Sequence, residues 1–162
     1  MATLQAHGIT AELPPGFEGR ISRRLAAGTG TGPAVAQFAT FALPDAVGDL
    51  GGGAVDLMEH GDVFAVLVEY GPDGLGTRLF ARQGMPRKLS TASFLPVVLH
   101  GGPAGRSGSQ WFFTEEQRPF TLYVVLGSHA RRSVLVPRVD ALLAGLTVSP
   151  AALPVAVGAG RV

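Results

Sequence analysis

Alternation of apolar with polar or small side chains recurs along the chain, and each instance predicts a β-strand. In "ITAEL", Ile9, Ala11 and Leu13 share one face before "PPG" ends the run, and a short strand is expected around "GRISRR". After the glycine-rich "AAGTGTGP", the segment "AVAQFATFAL" is largely apolar on both faces, the pattern of a central strand. The loop "PDAVGDLGGG" follows. "AVDLM" and "DVFAVLVEY" then predict two strands joined through "EHG", and "GTRLFARQ" a further strand after the "GPDG" turn, which together make a meander.

The stretch "WFFTEEQRPFTLYVVLG" is the most aromatic part of the chain. Its Phe120, Leu122, Val124 and Leu126 alternate with Thr121, Tyr123 and Val125, so "QWFFT" and "PFTLYVVLG" are expected to form a hairpin. "EEQR" fills the connection as a solvated turn, with Pro119 at a strand start. Glu115 and Glu116 are adjacent and point to opposite faces of a strand, which argues against a paired-carboxylate acid/base site. "LSTASFLPVVL" has caps at Ser90 or Thr91, but Pro96 limits any helix to a turn or two. In "RRSVLVPRVDALLAGL", Leu135, Val139, Leu142, Leu143 and Leu146 recur at helical spacing, with Gly145 as the terminator and Pro137 in the first turn or at a kink. There is no internal repeat. The expected fold is α+β: one antiparallel β-sheet domain over residues 1–148 with a C-terminal amphipathic helix packed on it, and a loosely ordered tail over 149–162.

An opening strand ending in "ELPPGFEGRI", a run of antiparallel strands, the hairpin "WFFTEEQRPFTLYVVLG" and a final amphipathic helix resemble the PsbP-like α/β/α sandwich fold. They are also similar to small proteins of high-GC Gram-positive bacteria. The resemblance spans Gly8 to Val148 and is one of element order and turn style. It implies a non-catalytic accessory or assembly protein, and it carries no site residue onto this chain.

Composition narrows the chemistry. A chain of 162 residues suffices for one domain, which buries about 70% of its unfolded surface. With 46% hydrophobic and 15% charged residues, the chain is too apolar for a disordered protein. The absence of cysteine excludes disulfides, thiolate metal sites and a cysteine nucleophile. Neither a leader pattern nor a run of ~20 apolar residues is present, so a cytoplasmic protein without a membrane partner is expected. Arginine far outnumbers the single lysine, the usage of a high-GC bacterial genome.

The glycine runs "GTGTG" and "GDLGGG" match neither the dinucleotide fingerprint nor a Walker A loop, since the one lysine, Lys88, follows Pro86-Arg87. "GRSGS" places Ser107 near glycines but lacks the nucleophile-elbow pattern. Among His7, His60, His100 and His129 no two have metal-ligand spacing. "DLMEHGD" alone offers Asp56, Glu59, His60 and Asp62 as donors, and a polar turn explains it as well. No cofactor or metal is expected.

Charge is unevenly distributed. Residues 25–77 hold seven acids and no cation; residues 78–162 hold ten cations against three acids, a net of +7; residues 1–24 contribute +1. Acidic and basic strands side by side in one sheet would explain this. Alternatively, separate patches would dock a protein partner or a second copy head to tail. The patch residues are Asp45, Asp49, Asp56, Glu59 and Asp62 on the acidic side and Arg78, Arg82, Arg87, Lys88, Arg131 and Arg132 on the basic side. Nucleic acid is an unfavoured partner, because the chain is almost neutral and "RLFARQGMPRK" has one aromatic. The expected function is a non-catalytic binding or assembly module. The alternative is a small-molecule enzyme or ligand-binding protein that sets Asp56, Glu59, His60 and Asp62 against an arginine, Arg78 or Arg82.

Overall fold

The computed structural model describes residues 2–24, 32–45, 53–96 and 105–150. In chain order the strands are β1 (Ala2–Ala6), β2 (Ile9–Leu13), β3 (Glu18–Arg23), β4 (Ala34–Ala39), β5 (Val63–Glu69), β6 (Ser107–Glu115) and β7 (Arg118–Leu126). The helix α1 (Arg132–Ala144) and β8 (Leu146–Val148) follow. All strand pairs among the described residues are antiparallel. The strands form a five-stranded sheet ordered β3-β4-β5-β7-β6 and a three-stranded sheet ordered β1-β2-β8, rather than one sheet.

Period-two alternation gives the larger sheet two apolar faces. Val63, Ala65 and Leu67 of β5 and Phe120, Leu122, Val124 and Leu126 of β7 share one core with Ile9, Ala11 and Leu13 of β2 and with Leu135, Val139, Leu142 and Leu143 of α1. The helix and the smaller sheet therefore cover the same face. On the other face Phe64, Val66, Tyr123 and Val125 pack under Ala54, Val55 and Met58. Phe113 belongs to the first core, on the same side as Leu142 and Leu143. Burying both faces of β5 and β7 makes them central strands.

Several segments differ from the pattern reading. "AVDLM" is not a strand: Val55–Leu57 is a 3-10 turn, because Val55 and Met58, three apart, are both buried while Leu57 is exposed. "GTRLFARQ" forms turns closed by Thr77 N–H to Gly74 O and Ala81 N–H to Arg78 O. Only Phe80 is buried, between the exposed pair Arg78–Leu79 and the exposed run Ala81–Gln83, so burial does not alternate as in a strand. Thr91–Ser93 is one 3-10 turn whose Ser90 hydroxyl accepts from the Ala92 N–H. Pro137 lies inside α1. Leu146 does not extend the helical stripe; it opens β8, in register with Ala11. Residues Ser149 and Pro150 of the expected tail are described, and the Ser149 N–H donates to Gly8 O at 2.8 Å. The rest of that tail, Asp49 and His100 lie outside the described residues.

The hairpin turn is narrower than "EEQR" suggests. Glu115 pairs with Arg118, so the turn is Glu116–Gln117 alone, with φ of 53° and 62°. Two positive φ values give a type I′ turn, whose twist matches the strands.

Candidate functional site

Glu69 ends β5 and Arg118 starts β7, and both point toward the smaller sheet. Arg118 Nε and Nη2 donate to Glu69 Oε2 at 2.8 Å and Oε1 at 3.0 Å, a bidentate pair. Nη2 also donates to His7 O at 3.0 Å and Nη1 to Ser149 O at 3.1 Å. One guanidinium thus ties the β1–β2 turn and the end of β8 to the larger sheet. The Ala34 N–H adds a bond to Glu69 Oε1, and Arg24 Nη2 one to the Glu69 carbonyl. Burial alone would raise the Glu69 pKa. The Arg118 and Ala34 hydrogen bonds, with the charges of Arg118 and Arg23, outweigh it and hold the carboxyl below its ordinary value.

Above this pair lies a cleft of ≈400 Å³ lined by His7, Gly8, Arg23, Glu69, Arg118, Ser149 and Pro150. Glu69 is ionised and bonded at both oxygens, so it does not serve as a general acid or base. The polar run "EEQR" predicts a solvated turn at Arg118, yet the residue is 5% exposed. Its partner lies 49 residues away, and no local signal marks the pair.

The "DLMEHGD" segment is a turn. Asp62 Oδ1 accepts from the Thr40 hydroxyl and Oδ2 from the Glu59 N–H. Among the described residues no group of three such side chains is placed to hold a metal ion. The arginines that reach this turn are not Arg78 and Arg82. Arg106 Nη2 donates to Met58 O and Arg138 Nη1 to Gly61 O, with Arg131 beside Gly61. Arg78 and Arg82 belong to the opposite end of the sheet: Arg82 O accepts from Thr114 N–H, and Thr114 pairs with Pro119, next to the β7 residue that faces Glu69. The seven residues of β5 separate the two groups by about 20 Å.

Ser107 and His129, 22 residues apart, form a pair that spacing did not reveal: Ser107 Oγ lies 2.8 Å from His129 Nδ1 and donates to Leu95 O at 3.2 Å. Ser107 is fully buried, so the contact braces β6 against the 128–131 turn and presents no nucleophile. Among the patch residues, Asp45, Asp56, Glu59, Arg78, Arg82, Arg87, Lys88 and Arg131 are exposed. Arg87 has a structural task, donating to the Leu143 and Leu146 carbonyls at the α1 C-terminus, and Arg132 donates to His129 O. A second cleft, of ≈420 Å³, lies between Arg87, Lys88 and the Asp140 side of α1. No helix among the described residues is long and apolar enough to cross a membrane.

Comparison of the chain with protein-family models, curated proteins and solved structures gave no match in any of the three.

Proposed function

We propose that the protein is a non-catalytic binding module that acts through protein–protein contacts, with head-to-tail self-association as its principal mode. The observation that carries this reading is the placement of exposed charge at opposite ends of β5. Asp56 and Glu59 stand at the end that begins with Val63, where Arg131 lies beside Gly61, and Arg78 and Arg82 at the end that finishes with Glu69, where Asp73 is also exposed. Unlike ends on one body favour a heterologous contact that repeats from copy to copy. The PsbP-like resemblance points the same way, toward accessory and assembly proteins.

Size-exclusion chromatography with light scattering tests it. At low salt the mass should grow with concentration beyond a dimer, and it should fall as salt rises from ~0.1 M to ~1 M, where the screening length shrinks from ~10 Å to ~3 Å. Arg78→Glu with Arg82→Glu should abolish the growth, and adding Asp56→Arg with Glu59→Arg should restore it. Arg87 and Asp62 are unsuitable for reversal because both hold the fold together. Mass that ignores both salt and these reversals would overturn the charge contact.

A further inference from the structure

The two-residue turn His7–Gly8, with φ of 54° and 78°, sets β1 against β2 with Ala6, Leu4 and Ala2 opposite Ile9, Ala11 and Leu13. In β2 the Glu12 N–H donates to Gly145 O on the β8 side. Main-chain groups alternate in direction along a strand, so those of Ile9, Ala11 and Leu13 point to β1 and are met there by Ala6, Leu4 and Ala2. The N–H and C=O of Thr3 and Gln5 therefore point away from the sheet, and no main-chain partner meets them among the described residues. Both residues are exposed. The strand "ATLQA" has no charge, proline or bulge, the devices by which proteins blunt an edge.

The edge strand of the larger sheet, β3, lies beneath it. Leu4 sits on Gly19 of β3, where an added Cβ would lie 2.9 Å from Leu4 Cδ1, while α1, on the β8 side of the smaller sheet, shares its core with β5 and β7. The edges of β1 and β3 thus lie on the same side of the molecule. β3 begins with Glu18 and ends with Arg23, so an antiparallel copy would set the acidic start of one β3 toward the basic end of the other.

We infer that a second copy of this chain pairs antiparallel with the open edge of β1 about a two-fold axis at Leu4, joining two three-stranded sheets into one. Thr3 of one copy faces Gln5 of the other and exchanges N–H···O bonds with it in both directions, while Leu4 meets its counterpart in the adjoining non-hydrogen-bonded position. An uncharged strand pairs with itself in this way without opposing like charges. The inference rests on the assembly reading above but not on its charge contact.

Sedimentation at ~1 M salt, where exposed charge attraction is screened, separates the two contacts. The expected result is a dimer that persists there and becomes monomeric in Gln5→Pro, which removes an outward N–H and leaves the β1–β2 ladder unchanged. Cysteine chemistry gives an independent arm, because the chain has no cysteine. Leu4→Cys, whose Cβ atoms would approach to about 4.5–5.5 Å across the axis, should cross-link on oxidation, and Ser133→Cys on the exposed side of α1 should not. A monomer at ~1 M salt at the highest soluble concentration, a dimer unchanged by Gln5→Pro, or equal cross-linking of the two cysteine variants would overturn the edge pairing. A salt-resistant dimer without salt-dependent growth would instead remove the charge contact and leave the edge pairing standing.

Discussion

Along β6 the outward main-chain groups are taken up by other segments at the two ends of the strand, where Gly108 exchanges hydrogen bonds with Leu95 and Thr114 bonds Arg82 and Gly84, while those of Gln110 and Phe112 between them meet no main-chain partner among the described residues. Along β1 those of Thr3 and Gln5 meet no main-chain partner among the described residues. The difference follows from what each edge would expose. β6 has nine residues, including Trp111, Phe112 and Phe113, and an open strand of that length and apolarity is an aggregation hazard. β1 has five residues with little apolar area, so leaving it open carries less risk. Two irregular segments that resisted a regular reading, "GTRLFARQ" and "LSTASFL", supply the covers on β6. Their irregularity is what lets each touch the edge at one point and then turn away.

The largest expected effect comes from the joint between the two sheets. Arg118→Met leaves Glu69 without its cation and frees the carbonyls of His7 and Ser149, so the loss should be about 3–5 kcal/mol in urea unfolding. The same pair sets an acid limit. The folded pKa of Glu69 is depressed, so its contribution is present above its ordinary value of 4.5 and is lost as pH falls through the lower folded value. A wild-type stability curve that declines below that value, and a flatter one in Arg118→Met, would bear this out. Equal acid sensitivity in both would contradict it.

Proline distinguishes the margins at the next level. Thr114→Pro deletes the N–H that reaches Arg82 O and the hydroxyl that reaches Phe80 O, and it should cost about 2 kcal/mol, since each of the two hydrogen bonds has a net worth of roughly 0.5–1.5 kcal/mol. Gln5→Pro should stay within about 0.5 kcal/mol for the monomer, as an outward edge N–H has nothing to lose. Similar costs at the two positions would erase the distinction between closed and open edges. The smallest effect is a gain: Gln117→Gly relieves a left-handed φ of 62° and should raise stability by about 0.5–1 kcal/mol, read as a higher denaturant midpoint.

These residues show how far the sequence could be read. Alternation was legible wherever a strand buries one or both faces, so β2, β4, β5 and β7 and the leucine stripe of α1 follow from pattern. β1 and β8 did not, because "ATLQA" is a polar edge and "LTV" is too short to display a period and directly follows the helix stripe. The type I′ turn was hidden because Glu116 and Gln117 occupy positions where Asn and Gly would announce it. Charge misled most at Arg118 and Arg87. A cation in a polar run looks solvated, yet one is buried against Glu69 and the other is spent on carbonyls at the end of α1. The separation of Asp56 and Glu59 from Arg78 and Arg82 depends on where β5 ends in space, which no local pattern records.

Residue-resolved amide hydrogen exchange at ~1 M salt, where surface charge is screened, and at low and high protein concentration tests the contrast between the edges most directly. Gly108 and Thr114 should be protected at both concentrations, since their donors are satisfied within one chain. Thr3 and Gln5 should exchange freely when the protein is dilute and become protected when it is concentrated. Thr3 and Gln5 amides that exchange equally fast at both concentrations, or that are already protected in the dilute monomer, would contradict the account of β1 as an open edge that a second copy completes.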